Sequence, residues 1–137
     1  MLRCLLVDDD DFSREMLALQ LEPYAVCDMA VDGNEAVEKF RQSIADANPY
    51  NAIFLDILMP GLDGHGAAKA IRHIEAEHGI PVEKGISIIV LSSLSAPQDV
   101  IQAYVSAQSA AHLFKPLNPL KLLKILRKLE LIPEDKG

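Results

Sequence analysis

The chain has 137 residues, half of them hydrophobic, with a formal net charge of −7, no Trp and only 5% aromatic residues. That length suits one domain around one core, which Leu, Ile, Val and Ala must fill. The acidic balance argues against nucleic acid and anionic membranes, whose phosphates need clustered Lys and Arg, and it favours cationic ligands, metal ions among them.

Short apolar runs alternate with segments of helical period along the chain. Leu2–Val7 predicts a first strand, and Phe12, Met16 and Leu19, widened by Leu17 and Leu21, mark the apolar face of a first helix. A second strand is expected over 25–31, followed by a helix carrying Ala36, Val37 and Phe40 after Gly33-Asn34. The run at 52–55 is continuously apolar, as a strand covered on both faces should be. Ala67, Ala70, Ile71 and Ile74 mark a third helix, and 75–85 reads as a polar connection to a fourth strand at 88–91. Val100, Ile101, Tyr104 and Val105 give a fourth helix, 110–114 a weaker fifth strand, and Pro119 opens a last helix with Leu122, Leu123, Leu126 and Leu129 inside. Five βα units in succession predict one α/β domain, a parallel sheet with helices on both faces, with 131–137 as a tail.

Cys4 and Cys27 lie in apolar contexts without metal-ligand spacing, so reduced thiols are expected rather than a disulfide. The apolar stretch at the N-terminus is too short for a signal peptide. No apolar run approaches the roughly 18 residues of a membrane span, and the expectation is a cytoplasmic protein.

Chemistry in such sheets gathers beyond the carboxyl ends of the strands. Asp8 and Asp9 follow the first strand, Asp56 the third, Ser92 and Ser93 the fourth, and Lys115-Pro116 the fifth. Asp10 and Asp11 suit a helix cap. Converging carboxylates either hold protons or need a cation, and Mg²⁺ takes one or two carboxylates while neutralising an incoming phosphoryl group. Asp56 is a candidate nucleophile forming an acyl phosphate, with Lys115 and the Ser92 hydroxyl bonding the phosphoryl oxygens.

The segments LLVDDDD, FLDILMPGLDG, VLSS and LFKP, in this order, resemble the receiver domain of bacterial two-component response regulators. The resemblance covers about residues 2–130, and the pattern at Asp56, Met59, Pro60, Asp63 and Gly64 is its most specific part. It implies a doubly wound (βα)5 flavodoxin-like three-layer sandwich with strand order 2-1-3-4-5. It implies a phosphorelay protein, not an enzyme beyond its own phosphoryl transfer and slow autodephosphorylation, phosphorylated on Asp56 by a histidine kinase or phosphotransfer protein. Mg²⁺ would be held by Asp9, Asp56 and the Leu58 carbonyl, with Asp8 acting through water. Ser92, with Ser93 as its rival, would be the switch hydroxyl. His112 stands where the family usually has Tyr or Phe in the switch. Leu58 and Leu94, both apolar, imply a long-lived phosphoryl group.

The basic residues Lys121, Lys124, Arg127 and Lys128 either are a solvated face or join the fourth helix and fifth strand in an output surface, for an effector or a homodimer. Two other functions compete. A haloacid-dehalogenase-like phosphatase would use Asp8-Asp9-Asp10, but it leaves the Asp56 segment unexplained. A pseudo-receiver working by contact alone would not need Asp8, Asp9, Asp56, Ser92 and Lys115 together. Gly64-x-Gly66 lacks the third glycine of a dinucleotide loop, where Lys69 stands.

Overall fold

A computed structural model describes residues 1–56, 64–93 and 111–133. The elements alternate as the apolar runs require: β1 (Leu2–Val7), α1 (Asp11–Leu21), β2 (Ala25–Ala30), α2 (Gly33–Ala45), β3 (Ala52–Asp56), α3 (Gly64–Glu77), β4 (Ser87–Ser93), β5 (Ala111–Lys115) and a C-terminal helix (Pro119–Lys128). The expected fourth helix around Val100–Val105 lies outside the described residues.

All pairings are parallel and the sheet order is β2-β1-β3-β4-β5. β1, β3 and β4 are central, and the described side chains of β3 are buried throughout. Their alternate residues feed two cores. Leu5, Val7, Ile53, Leu55, Ile88 and Val90 meet Phe40 of α2 and Ile71 and Ile74 of α3. Cys4, Leu6, Phe54, Ile89 and Leu91 meet Leu17 and Leu21 of α1 and Leu122 and Leu126 of the C-terminal helix. Each fully buried aliphatic side chain contributes about 1.5–3 kcal/mol, so these two layers are the main source of stability. Helices on both faces make the three-layer doubly wound sandwich.

Two expectations need correction. The stripe Phe12, Met16 and Leu19 does not face the core: these side chains are 69%, 40% and 62% exposed, whereas Leu17, Leu21 and Arg14 are buried. α1 carries apolar residues on two sides, and the sheet takes the side that also brings Arg14 inward. Residue 75 is not connection either. α3 runs on to Glu77, and Glu75, only 5% exposed, accepts from the Ile86 backbone N–H at 2.6 Å and from Arg72 at 2.7 Å. Arg72 also donates to the Ile86 carbonyl, so the end of α3 is latched to the chain entering β4. Gly79, at φ +68°, closes α3: Ile80 N–H bonds the Glu75 carbonyl and Gly79 N–H the Ala76 carbonyl.

Both thiols are free, but only Cys4 is fully buried, while Cys27, its register partner on the edge strand, is half-buried. The hydrogen bond between them pushes the Cys4 thiol up, aided by burial, and holds the Cys27 thiol below the ordinary range against burial. Among the described residues no helix is long and apolar enough to cross a membrane.

Candidate functional site

β1 and β3 end in carboxylates because each strand emerges from the core one residue before or at its acid. Asp56 is the last residue of β3 and is 7% exposed; Asp8 follows β1 directly and is 2% exposed. Lys115 ends β5 and reaches across the sheet's edge to both, at 2.5 Å from Asp8 Oδ2 and 3.1 Å from Asp56 Oδ2. Asp9, exposed, completes the group: one oxygen each of Asp8, Asp9 and Asp56 lies within 4.8 Å of the others.

Local backbone structure fixes the acids. Asp8 Oδ1 accepts from the Asp10 N–H at 2.9 Å, and its backbone N–H bonds the Ala30 carbonyl at 3.2 Å. Asp10 is the N-cap of α1, accepting from Phe12 N–H and from the Ser13 hydroxyl, and the Ser13 bond holds its carboxyl below the usual range. The capping role expected for Asp10 or Asp11 falls to Asp10. Arg14 escaped the sequence reading altogether. It lies buried beneath the cluster, donating to the Asp8 carbonyl at 2.5 Å and pairing with Asp11. Its only signal is a cation three residues after an acid on the buried face of α1.

Among the described residues, three carboxylates thus face one ammonium. Burial opposes the charge of Lys115, but the bond to Asp8 and the charge of Asp56 outweigh it and hold Lys115 above the ordinary lysine range. Like charges at about 4 Å repel by roughly 1 kcal/mol in water and 4 kcal/mol at a protein surface, so the site retains an excess of negative charge that a hard cation relieves. An all-oxygen donor set, two of its members buried, fits Mg²⁺.

Ser92 lies beside this group on β4, one residue past Leu91, the register partner of Asp56. Its side chain is 1% exposed, and its Oγ lies 2.6 Å from Nε2 of His112 on β5. His112 packs edge-on against Phe114, with ring centroids 4.5 Å apart, and burial holds its pKa below the ordinary histidine range. Ser93 pairs in register with Lys115. Leu58 and Leu94 lie outside the described residues, as do Met59, Pro60, Asp63, Ile101 and Tyr104. The cationic residues 121, 124 and 128 of the C-terminal helix line, with His112 and Phe114, a groove along β5.

The family model of the response regulator receiver domain matches residues 4–127. The two-component response regulator ORR41 of rice is 34% identical over 134 residues, covering 96% of both chains. VanRB, a regulatory protein of Enterococcus faecalis, is 31% identical over 98% of this chain, which spans only 62% of VanRB. Among solved structures, the receiver domain of the histidine kinase CKI1 from Arabidopsis thaliana, complexed with Mg²⁺ and BeF₃⁻, superposes with a TM-score of 0.79 at 26% identity, covering 96% of this chain and 91% of that one.

Proposed function

The chain belongs to the response regulator receiver domain family of two-component signal transduction, and from that premise we propose that it accepts a phosphoryl group on Asp56 in a Mg²⁺-dependent reaction. The observation that carries this reading is Lys115 bridging Asp8 and Asp56 inside a cluster that, among the described residues, sets three carboxylates against one ammonium. Both Asp8 oxygens are engaged, Oδ1 by a backbone N–H and Oδ2 by Lys115. The family match over residues 4–127 supports a receiver over a dehalogenase-like phosphatase, and with it Asp56 over Asp8 as nucleophile.

An Asp56 carboxylate oxygen attacks the phosphorus of a phosphohistidine on a kinase or phosphotransfer protein. The P–N bond breaks, its electron pair leaves with the imidazole, and an acyl phosphate remains. Asp9 and Asp56 would hold Mg²⁺, with the Leu58 carbonyl as the proposed backbone ligand and Asp8 acting through water; when bound it supplies positive charge to the phosphoryl oxygens. Lys115 then exchanges its Asp56 bond for one to a phosphoryl oxygen, and Ser92 donates its hydroxyl hydrogen to another. The groove between β5 and the C-terminal helix, with the fourth-helix segment, is the proposed surface for an effector or a second copy.

The test is incubation with acetyl phosphate and Mg²⁺, read by intact mass. Wild type gains about 80 Da, the mass of one phosphoryl group, and Asp56→Asn gains nothing. An adduct that persists in Asp56→Asn removes the proposal.

A further inference from the structure

The Ser92–His112 bond raises a question of hydrogen direction. The Ser92 hydroxyl owns one hydrogen, and among the described residues its partner is Nε2 of His112 at 2.6 Å. A neutral imidazole carries a hydrogen on one nitrogen and a lone pair on the other. The bond is therefore either Oγ–H···Nε2 or Nε2–H···Oγ, and burial keeps the ring in its neutral form.

For a hydroxyl that is 1% exposed, the two arrangements differ in cost. If Nε2 donates, the hydroxyl hydrogen is left buried without an acceptor, a penalty of about 1–3 kcal/mol. If Ser92 donates, its one hydrogen is satisfied. The resting pair is Oγ–H···Nε2, with the ring hydrogen on Nδ1. A phosphoryl group on Asp56 reverses the demand, because its oxygens accept hydrogen bonds and cannot donate them. Ser92 cannot give its single hydrogen to both acceptors.

We propose that His112 is a positioning residue whose tautomer sets the direction of the Ser92 hydroxyl: occupation of Asp56 turns the hydroxyl hydrogen to the phosphoryl group, and His112 moves its own hydrogen from Nδ1 to Nε2 to donate to Ser92 Oγ. Nδ1 gives one proton to water and Nε2 takes one from water, so the ring stays neutral and no net proton is exchanged. The half-exposed position of His112 gives water that access. The step links the phosphorylation site to the outer strand through a single shared bond. It rests on Asp56 being the acceptor.

The experiment uses Mg²⁺ with beryllofluoride, whose fluorines accept hydrogen bonds only. Protein labelled with ¹⁵N at its four histidines is followed by long-range ¹H–¹⁵N correlation, with His112 assigned from His112→Asn and probe binding read independently by ¹⁹F resonances. The expected result is that His112 Nε2 moves from the unprotonated to the protonated range when the probe binds, and that Ser92→Ala abolishes this response. Bound probe with an unchanged His112 tautomer, or the same change in Ser92→Ala, overturns the inference and leaves the acceptor reading intact. Absence of any bound beryllofluoride overturns the acceptor reading and this inference with it. As a second measurement, His112→Leu should weaken the probe about tenfold, and His112→Gln, whose amide can donate, should recover most of the loss. Equal weakening in both variants points to packing alone and counts against the tautomer.

Discussion

The two ends of the sheet both carry charged residues, but they balance them differently. At the amino end, Arg3 lies over the Tyr50 ring at 4.7 Å and within 3.8 Å of Asp28. Tyr50 donates to Asp28 at 2.6 Å, and Arg3 and Asn51 exchange backbone and side-chain bonds. One cation meets one anion there, though Arg3 Nε is buried without a hydrogen-bond partner. At the carboxyl end, among the described residues, Lys115 is the cation that contacts the carboxylates of Asp8 and Asp56, with Asp9 beside them and Arg14 on the Asp8 carbonyl. The first arrangement balances its charges without a ligand; among the described residues the second leaves carboxylates in excess, which suits the proposed cation. Charge imbalance, not the presence of charge, separates a binding site from a structural ion pair.

The largest test of that contrast is Lys115→Met. Removing this ammonium should slow labelling by acetyl phosphate about a hundredfold, as loss of a charged donor to a reacting group does. In metal-free buffer it should destabilise the fold by about 2 kcal/mol, the worth of hydrogen bonds to charged groups. Mg²⁺ should then raise the melting temperature of the variant more than that of wild type. Equal Mg²⁺ stabilisation of both proteins would mean the carboxylates are not short of positive charge.

Tyr50→Phe tests the opposite end. Burial and the bond to Asp28 push the Tyr50 phenol up, so the hydroxyl is a donor at any ordinary pH. Its loss should cost about 1 kcal/mol in urea denaturation, because Asp28 is exposed enough to recover water. Mg²⁺ affinity should stay within about twofold, a difference well under 1 kcal/mol; a larger change would show that the two ends are coupled.

The smallest effect is a pH dependence. Burial holds His112 below its unfolded value of about 6.5, so its contribution is present above that value and is lost as pH falls through the lower folded pKa. As pH falls from about 7 to 5, wild type should lose slightly more stability than His112→Asn, an effect kept small by solvent screening. An identical pH profile for the two would place the imidazole in water rather than against Ser92 and Phe114.

The strands and the four clustered charged residues were legible because parallel strands are continuously apolar and each reactive residue follows directly where a run stops. That placed Asp8, Asp9, Asp56 and Lys115 at strand ends and strands one, three and four at the centre, while the full strand order came from the resemblance to receiver domains. The face of α1 was not legible in this way, since Phe12, Met16 and Leu19 make as good a helical stripe as Leu17 and Leu21. Choosing between them required knowing that Arg14 bonds the Asp8 carbonyl. Glu75 was misplaced for a related reason: a carboxylate near a glycine and proline reads as loop until its partners, Arg72 and the Ile86 N–H, are seen. Both failures concern buried charge, whose position depends on partners distant in sequence.

The Arg14 bond also bears on selectivity among cations. Asp8 is held at its carbonyl, its amide and both carboxylate oxygens, while Asp9 beside it is open to water. A fixed donor next to a movable one sets a minimum approach from one side and leaves the other free to follow the ion's radius. In the proposed site, loosening the fixed donor, by Arg14→Met for example, would widen the range of ion sizes the cluster accepts.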